Sequence, residues 1–121
     1  MSLAFREAVE ARSIEAMEAA LAPDVVFRSP VVFKPYEGRE VVMHLLRNVI
    51  EVFEDFSYTD ELHGDDSHAL VFEARVGDKQ LQGWDYLVTD GEGLVSELTV
   101  MVRPLSGAIA LAQAMQARLE G

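Results

Sequence analysis

The chain has 121 residues, half of them hydrophobic, and its 10 Lys+Arg against 21 Asp+Glu give a net charge of −11 at pH 7. A chain of this length is expected to form one domain, residues 1–121, with roughly two thirds of its unfolded surface buried. The acidic balance argues against nucleic acid and anionic membranes as partners, because both attract a basic face. The absence of cysteine excludes disulfides and thiolate chemistry.

The N-terminal segment MSLAFREAVEAR carries acidic residues and lacks the apolar core of a signal peptide, and no apolar run reaches membrane length. We therefore expect a cytoplasmic protein without a membrane partner. The sequence contains no HExxH, phosphate loop or dinucleotide fingerprint, so we expect no metal and no cofactor. His63 and His68 bracket the segment GDDS, whose composition is typical of a solvated turn and whose spacing fits no standard metal site.

Two short helices are predicted first. Ser2 is placed to cap one, with Phe5 on its inner face, and Ser13 to cap the other, which Pro23 would end. A strand is predicted over Asp24–Arg28, followed by the loop SPVVFKPYEG and a long helix over Arg39–Glu54 with an apolar stripe at helical spacing.

From Phe56 onward the hydrophobic period drops toward two, which predicts strands. The four predicted strands are Phe56–His63, Ala69–Val76, Gln80–Thr89 and Leu94–Arg103. Turn compositions separate them, and a C-terminal helix is predicted over Ser106–Leu119. The order predicts an α+β fold: helices on one face of a curved antiparallel sheet.

Asp85 stands inside the third of these strands, where aspartate is depleted. A two-residue turn at the preceding GD pairs Leu70 with Asp85, and a four-residue loop at DGEG pairs Asp85 with Leu98. Both pairings put Asp85 on the apolar face, which must meet the helices. The other members of this face are Phe72, Ala74, Leu81, Gly83, Leu87, Val100 and Val102.

An inward Asp85 with no basic residue on its own face should have a raised pKa, because burial disfavours the charged form. It would then act as a hydrogen-bond donor or as a proton carrier near pH 7. The alternative is that Asp85 caps a bulge or reaches solvent at the rim of the sheet.

Three polar residues could assist Asp85. Arg28 either pairs with a ligand carboxylate or with Asp85, or faces solvent. Ser29, just before a proline near the expected pocket mouth, is either a nucleophile or a turn hydroxyl. His44 flanks the apolar stripe of the long helix and is either a base at the pocket edge or a half-buried flank residue.

Three segments carry a family resemblance: DVVFRSPVVFKPYEGR, DYLVTDGEG and VRPL. In order and spacing they resemble the nuclear transport factor 2-like superfamily, in its SnoaL-like and ketosteroid isomerase-like branch. The resemblance covers nearly the whole chain and implies a cone, in which a curved sheet wraps around the N-terminal helices and encloses a pocket. Relatives include isomerases, dehydratases, cyclases, epoxide hydrolases and non-catalytic binders.

In the comparison with the isomerases, the oxyanion-binding Asp falls on Asp85. In ketosteroid isomerase this Asp is a carboxylic acid that an apolar site keeps neutral. The general base falls on Ser29 and the oxyanion-hole Tyr on Phe5, so steroid isomerisation itself is not expected. The expected catalytic residues are Asp85 and His44. The expected ligand-binding residues are Phe5, Arg28, Ser29, Phe72, Gly83, Leu98 and Val100.

Three hypotheses follow. The first is an isomerase, lyase or cyclase that acts on a small apolar carbonyl compound, with Asp85 as acid or oxyanion donor. The second is a non-catalytic pocket for a small hydrophobic molecule, which the changes at Phe5 and Ser29 favour. The third is a structural dimeric module whose own side chains fill the cavity.

The opposite face of the sheet carries Trp84, Tyr86 and Met101, a combination typical of a partner surface. Related proteins pair through this face, so the resemblance implies a homodimer. The alternative is that the C-terminal helix folds over these three residues.

Overall fold

The computed structural model describes residues 3–120, which form four helices and six strands. In chain order they are α1 (Ala4–Glu10), α2 (Ile14–Ala20), β1 (Leu21–Arg28), β2 (Tyr36–Glu37), α3 (Arg39–Val52), β3 (Glu54–His63), β4 (Ser67–Val76), β5 (Lys79–Thr89), β6 (Val95–Arg103) and α4 (Leu105–Glu120). The predicted α+β class is confirmed. None of the helices in residues 3–120 is long and apolar enough to cross a membrane.

The six strands form one open sheet in the order β2-β1-β6-β5-β4-β3. Strands β3 to β6 make the predicted antiparallel meander, but β1 pairs in parallel with β6. The expectation of a wholly antiparallel sheet was therefore wrong, and the sheet is mixed. The cause is the crossover: the chain leaves β1, passes through α3 and the meander, and returns beside β1 in the same direction.

The helix boundaries differ from the prediction in two places. Pro23 does not end α2 but lies inside β1, at an irregularity of the β1–β6 ladder between Leu21 and Val26, where a missing N–H is tolerated. Helix α3 ends at Val52, before β3 begins at Glu54. The Ser13 cap is confirmed, since its Oγ accepts from the Ala16 amide at 3.1 Å. The proposed cap Ser2 lies outside the described residues.

The β4–β5 register is as predicted, with Leu70 opposite Asp85 and Phe72 opposite Gly83. The β5–β6 register is shifted by two: Asp85 lies opposite Val100, not Leu98. Here the Asp90 carboxylate accepts from two loop amides, at 2.9 and 3.0 Å, and the strand pairing is irregular beside the loop. Because a shift of two keeps every side chain on its face, Asp85 still points inward.

The concave face of the sheet packs against the helices and forms the core. On β4, β5 and β6 respectively, Leu70, Leu87 and Leu98 are fully buried. Helix α4 lies on this same side, because Gly107 packs against Leu81 and Leu111 is buried. The alternative that α4 covers the opposite face was therefore wrong.

Gly83 is required by packing, and replacing it with alanine should destabilise the fold. A Cβ at this position would lie 2.3 Å from Phe72 Cζ and 2.8 Å from the Met101 carbonyl oxygen. Because the second neighbour is backbone, we expect Gly83→Ala to lower the free energy of unfolding by about 2 kcal/mol, measured by urea denaturation. Gly91→Ala is the matched control, since no atom lies within 4 Å of a Cβ there. Equal stability of the two variants would contradict this prediction.

Candidate functional site

A cavity of about 400 Å³ lies between the helices and the concave face of the sheet. Its lining is mostly apolar, and six of its side chains are aromatic: Phe5, Phe27, Phe53, Phe56, Tyr58 and Phe72. Its polar lining residues are Glu10, Arg12, Asp55, Ser57, Tyr58 and Asp85. Glu10, Arg12, Asp55 and Ser57 are exposed and mark the mouth, whereas Asp85 is buried. The volume lies within the range of small-molecule sites.

One wall of the cavity is a cluster of aromatic rings. Phe56 stacks on Phe72 with centroids 4.9 Å apart, and Phe53 contacts both rings at 5.7 and 5.6 Å. Tyr58 meets Phe56 edge to face at 5.0 Å. These contacts hold the wall in one geometry, and Gly83 supplies the space in which the Phe72 ring lies.

Asp85 lies at the inner end of the cavity, with 8% of its surface exposed. Within residues 3–120 its carboxyl has a single hydrogen-bond partner: Tyr58 Oη donates to Asp85 Oδ2 at 3.3 Å. Burial raises the pKa of Asp85 to about 7, although the Tyr58 hydrogen bond acts in the opposite direction. Both protonation states are therefore accessible near neutral pH.

Tyr58 remains the donor of this pair. Burial raises the pKa of its hydroxyl well above the usual range, and the neighbouring charge and hydrogen bond of Asp85 raise it further. The Arg6 guanidinium lies 5.2 Å from the centre of the Tyr58 ring, within reach of a cation–π contact. Arg6 Nη1 also donates to Glu61 Oε1 at 2.7 Å. This bond joins α1 to β3 and holds the Arg6 side chain beside the Tyr58 ring.

The structure brings five of the predicted site residues to the cavity. Asp85 and the apolar side chains of Phe5, Phe72, Leu98 and Val100 all line it. Gly83 has no side chain to offer and acts through Phe72.

Arg28 and Ser29 do not reach this cavity. Arg28 Nη1 pairs with Glu97 Oε1 at 2.8 Å on the exposed surface, so the suggested contact with Asp85 was wrong. Ser29 Oγ accepts from the Val31 amide at 3.0 Å, which is the turn-hydroxyl alternative. Both residues line a separate groove beside β6, and Pro30, the next residue, lines the cavity.

His44 also lies away from Asp85. The side chains of Val42, Met43, Leu45 and Leu46 occupy the buried side of α3, and His44 is exposed between them. Since successive helix residues turn by about 100°, a residue between two buried pairs faces outward. His44 is not among the residues that line the cavity.

Tyr58 lines the cavity and contacts Asp85, although the sequence patterns did not predict it as a site residue. It alternates with Phe56 in β3 and lies opposite Phe72, so the inward face of β3 could have been predicted by extending the inward face of β4 to its neighbour.

The turn between β3 and β4 is a separate feature, bracketed by His63 and His68. His63 Nδ1 lies 2.6 Å from His68 Nδ1, and His63 also contacts Glu61. Among the described residues no group of three or more His, Asp or Glu could hold a metal ion.

The stability of the fold should report the burial of Asp85 through its pH dependence. Between pH 3.8 and about 7 the folded state keeps a proton that the unfolded state has released, so the free energy of unfolding falls as pH rises. Over this window the loss is about 4 kcal/mol. Asp85→Asn removes this dependence, and we expect its stability relative to wild type to rise by that amount between pH 4 and pH 8. Parallel stability curves of the two proteins in urea titrations would contradict the buried, raised-pKa carboxyl.

The comparisons with known proteins agree with this geometry. No match was found among curated protein sequences. Among solved structures, a steroid delta-isomerase from Pseudomonas aeruginosa is 41% identical with a TM-score of 0.92, and the alignment covers 96% of this chain and 86% of that one. A bacterial protein with a cystatin-like fold from Silicibacter pomeroyi DSS-3 is 32% identical with a TM-score of 0.92, covering 97% of this chain and 83% of that one.

A SnoaL-like protein of unknown function from Burkholderia thailandensis E264 shares the fold at 17% identity and a TM-score of 0.68, with 84% of this chain and 90% of that one covered. The family model of the SnoaL-like domain matches residues 3–111, which confirms the resemblance seen in the sequence. The chain therefore belongs to the SnoaL-like domain family.

Proposed function

We propose that the cavity binds a small, mostly apolar carbonyl compound and that the Asp85 carboxyl contacts its oxygen. One observation carries this proposal: a carboxyl without a basic partner among the described residues lies at the inner end of an aromatic cavity. A protonated carboxyl there donates a hydrogen bond that an apolar environment strengthens. Aromatic walls and a single deep donor suit a flat ketone or aldehyde.

The chemistry that this arrangement supports best is general acid catalysis. Asp85 would pass its proton to the substrate oxygen, and the carboxylate that remains would be stabilised by the Tyr58 hydroxyl, which already donates to Oδ2. A pKa of about 7 suits a group that must both hold and release a proton at neutral pH. The matching reaction classes are isomerisation, elimination and cyclisation of a carbonyl compound.

Steroid isomerisation is not part of the proposal, although one relative is described as a steroid delta-isomerase. By the sequence resemblance, the position of the isomerase base falls on Ser29, whose hydroxyl accepts a hydrogen bond within a turn and does not line the cavity. The position of the second oxyanion donor holds Phe5, which has no hydrogen to donate.

A second candidate is a non-catalytic binding protein for the same class of ligand. It is favoured by the placement of Arg28, Ser29 and His44, since none of the three lines the cavity. Among the described residues, Asp85 and Tyr58 are then the polar groups in its inner part, and Tyr58 is held protonated.

We expect 2-acetonaphthone, a flat aryl ketone, to bind more tightly at pH 6 than at pH 8.5. The neutral carboxyl donates to the ketone, whereas the carboxylate repels its oxygen, so ionisation should raise the apparent Kd by about tenfold or more. Asp85→Asn donates at every pH and should abolish the pH dependence while keeping the pH 6 affinity within a few-fold. Fluorescence titration measures this, and a pH-independent Kd for wild type would refute the role of Asp85.

The same ketone separates the two candidates. An enzyme of the proposed kind should accelerate hydrogen–deuterium exchange at the ketone methyl group in D₂O, followed by NMR. Asp85 would protonate the carbonyl oxygen while a solvent water removes the proton from the methyl carbon, and Asp85→Asn should remove the acceleration. A pure binding protein should leave the exchange rate at its solution value. Tyr58→Phe is the informative control, because it keeps the acid and removes the group that stabilises its carboxylate.

We further propose a homodimer through the outer face of the sheet. Trp84 lies directly opposite Met101 in the β5–β6 ladder, and Tyr86 follows on the same face. These side chains are 43%, 53% and 40% exposed respectively, which makes a contiguous amphipathic patch.

The double variant Trp84→Lys/Met101→Lys should shift the protein from dimer to monomer, because it places two charges in the centre of the contact. Light scattering after size exclusion gives the mass. Ile109→Lys is the control, since Ile109 is exposed to a similar degree on α4. A wild-type monomer, or a dimer that survives the double variant, would exclude this interface.

A further inference from the structure

The charged residues at the mouth of the cavity are not equivalent. Glu10 pairs with Arg6, whose Nε lies 3.4 Å from Glu10 Oε1. Asp55 pairs with Arg75, whose Nε lies 3.0 Å from Asp55 Oδ2. Arg6 and Arg75 are each shared with a second carboxylate, Glu61 and Glu54 respectively. Arg12 has no carboxylate within salt-bridge distance in residues 3–120, so among the described lining residues it is the cation at the mouth that no ion pair occupies.

The backbone holds Arg12 at this place. It lies in the turn between α1 and α2 with φ +53°, a left-handed conformation that non-glycine residues seldom adopt. Two hydrogen bonds fix the turn: the Arg12 amide donates to the Val9 carbonyl and the Ser13 amide to the Ala8 carbonyl, each at 3.0 Å.

The side chain of Arg12 crosses to the last turn of α3. Its Nη2 donates to the Ile50 carbonyl oxygen at 3.1 Å, and Ile50 itself lines the cavity. The carbonyls of a final helical turn carry partial negative charge, which favours a cation there. Among the described residues this is the only hydrogen bond of the guanidinium, which has five N–H donors in all, so donors remain for a ligand.

We infer that Arg12 makes the mouth a carboxylate subsite and that the cavity takes an amphipathic acid. Such a ligand has an apolar ring body in the aromatic cavity, an oxygen at Asp85 and a carboxylate at Arg12. This inference rests on the proposed function and specifies the substrate class of the same site.

The overall charge of the protein bears on where an anion can bind. A protein with a net charge of −11 repels an anion at long range, and at physiological salt this field is screened beyond about 8 Å. A preference for an acid over its neutral homologue must therefore come from a group within contact distance. At this mouth Glu10 and Asp55 each lie against an arginine that a second carboxylate shares, and Arg12 is the lining cation that can supply the preference.

The experiment compares acids with the phenols that lack their carboxylate. The probes are 6-hydroxy-2-naphthoic acid against 2-naphthol, and 4′-hydroxybiphenyl-4-carboxylic acid against 4-phenylphenol; two lengths test two spans from Asp85 to the mouth. At pH 6 we expect at least one acid to bind about three- to tenfold more tightly than its phenol. Calorimetry gives the affinities, and raising NaCl from about 0.05 to 0.5 M should shrink the difference.

Arg12→Gln removes the charge but keeps a donor for the Ile50 carbonyl, and it should abolish the preference for the acid without weakening the phenol. Arg12→Lys should keep part of the preference. Arg47→Met is the matched control: Arg47 is exposed on α3 and does not line the cavity, so the same loss of net charge should change nothing.

If the phenols bind and neither acid binds more tightly, or if Arg12→Gln and Arg47→Met behave alike, the carboxylate subsite is wrong and the proposed function stands. If neither the acids nor the phenols bind although 2-acetonaphthone does, the carboxylate subsite is wrong and the proposed function stands. If 2-acetonaphthone also fails to bind, the proposed function fails and the inference with it.

Discussion

The buried Asp85–Tyr58 pair is the constraint on which the rest of the site depends. The β4–β5 hairpin turns Asp85 inward, opposite Leu70, and β3 brings the Tyr58 hydroxyl to it from the far side of β4. Other features near the pair contribute to this burial. Gly83 leaves space for the Phe72 ring, and the aromatic wall shields the Asp85 carboxyl from solvent. An apolar residue at this position would avoid the stability lost to a buried carboxyl at neutral pH. The fold retains the acid, which is typical of a functional group.

The orientation of Asp85 could be predicted from the sequence, because residues an even number of positions apart in a strand lie on the same face of the sheet. The predicted β5–β6 register was off by two, yet the face was right, since a slip of two returns each side chain to the same side. The true register follows from the two amide hydrogen bonds of Asp90 and the irregular pairing next to it, neither of which a turn composition encodes. The parallel pairing of β1 with β6 was missed for a related reason: it joins segments about seventy residues apart, and no local turn specifies it.

The prediction of the site residues was less successful, because a local sequence pattern does not fix which way a side chain at the edge of a buried stripe or in a loop points. His44 stands next to a buried stripe, and the sequence alone leaves open on which side of the stripe a flanking residue falls. Ser29 and Pro30 are adjacent, yet only Pro30 reaches the cavity. Tyr58 and Arg12 depend on contacts with Asp85 and Ile50, which lie 27 and 38 positions away in the chain. Such partners emerge only when β3 is placed beside β4 and the α1–α2 turn beside the end of α3.

The position of the tyrosine bears directly on chemistry. In the isomerase arrangement a Tyr and a protonated Asp both donate to the substrate oxygen and together stabilise an oxyanion. Here the sequence resemblance puts Phe5 at the position of that Tyr, and Tyr58 donates to the Asp85 carboxyl. In the proposed function a single donor, Asp85, faces the ligand, and the Tyr58 hydroxyl stabilises the carboxylate that Asp85 leaves. That arrangement weakens oxyanion binding but favours release of the Asp85 proton, because the carboxylate it leaves already has a partner. The fold of the family is thus kept, and in the proposed function its two buried polar groups serve proton transfer to a ligand oxygen.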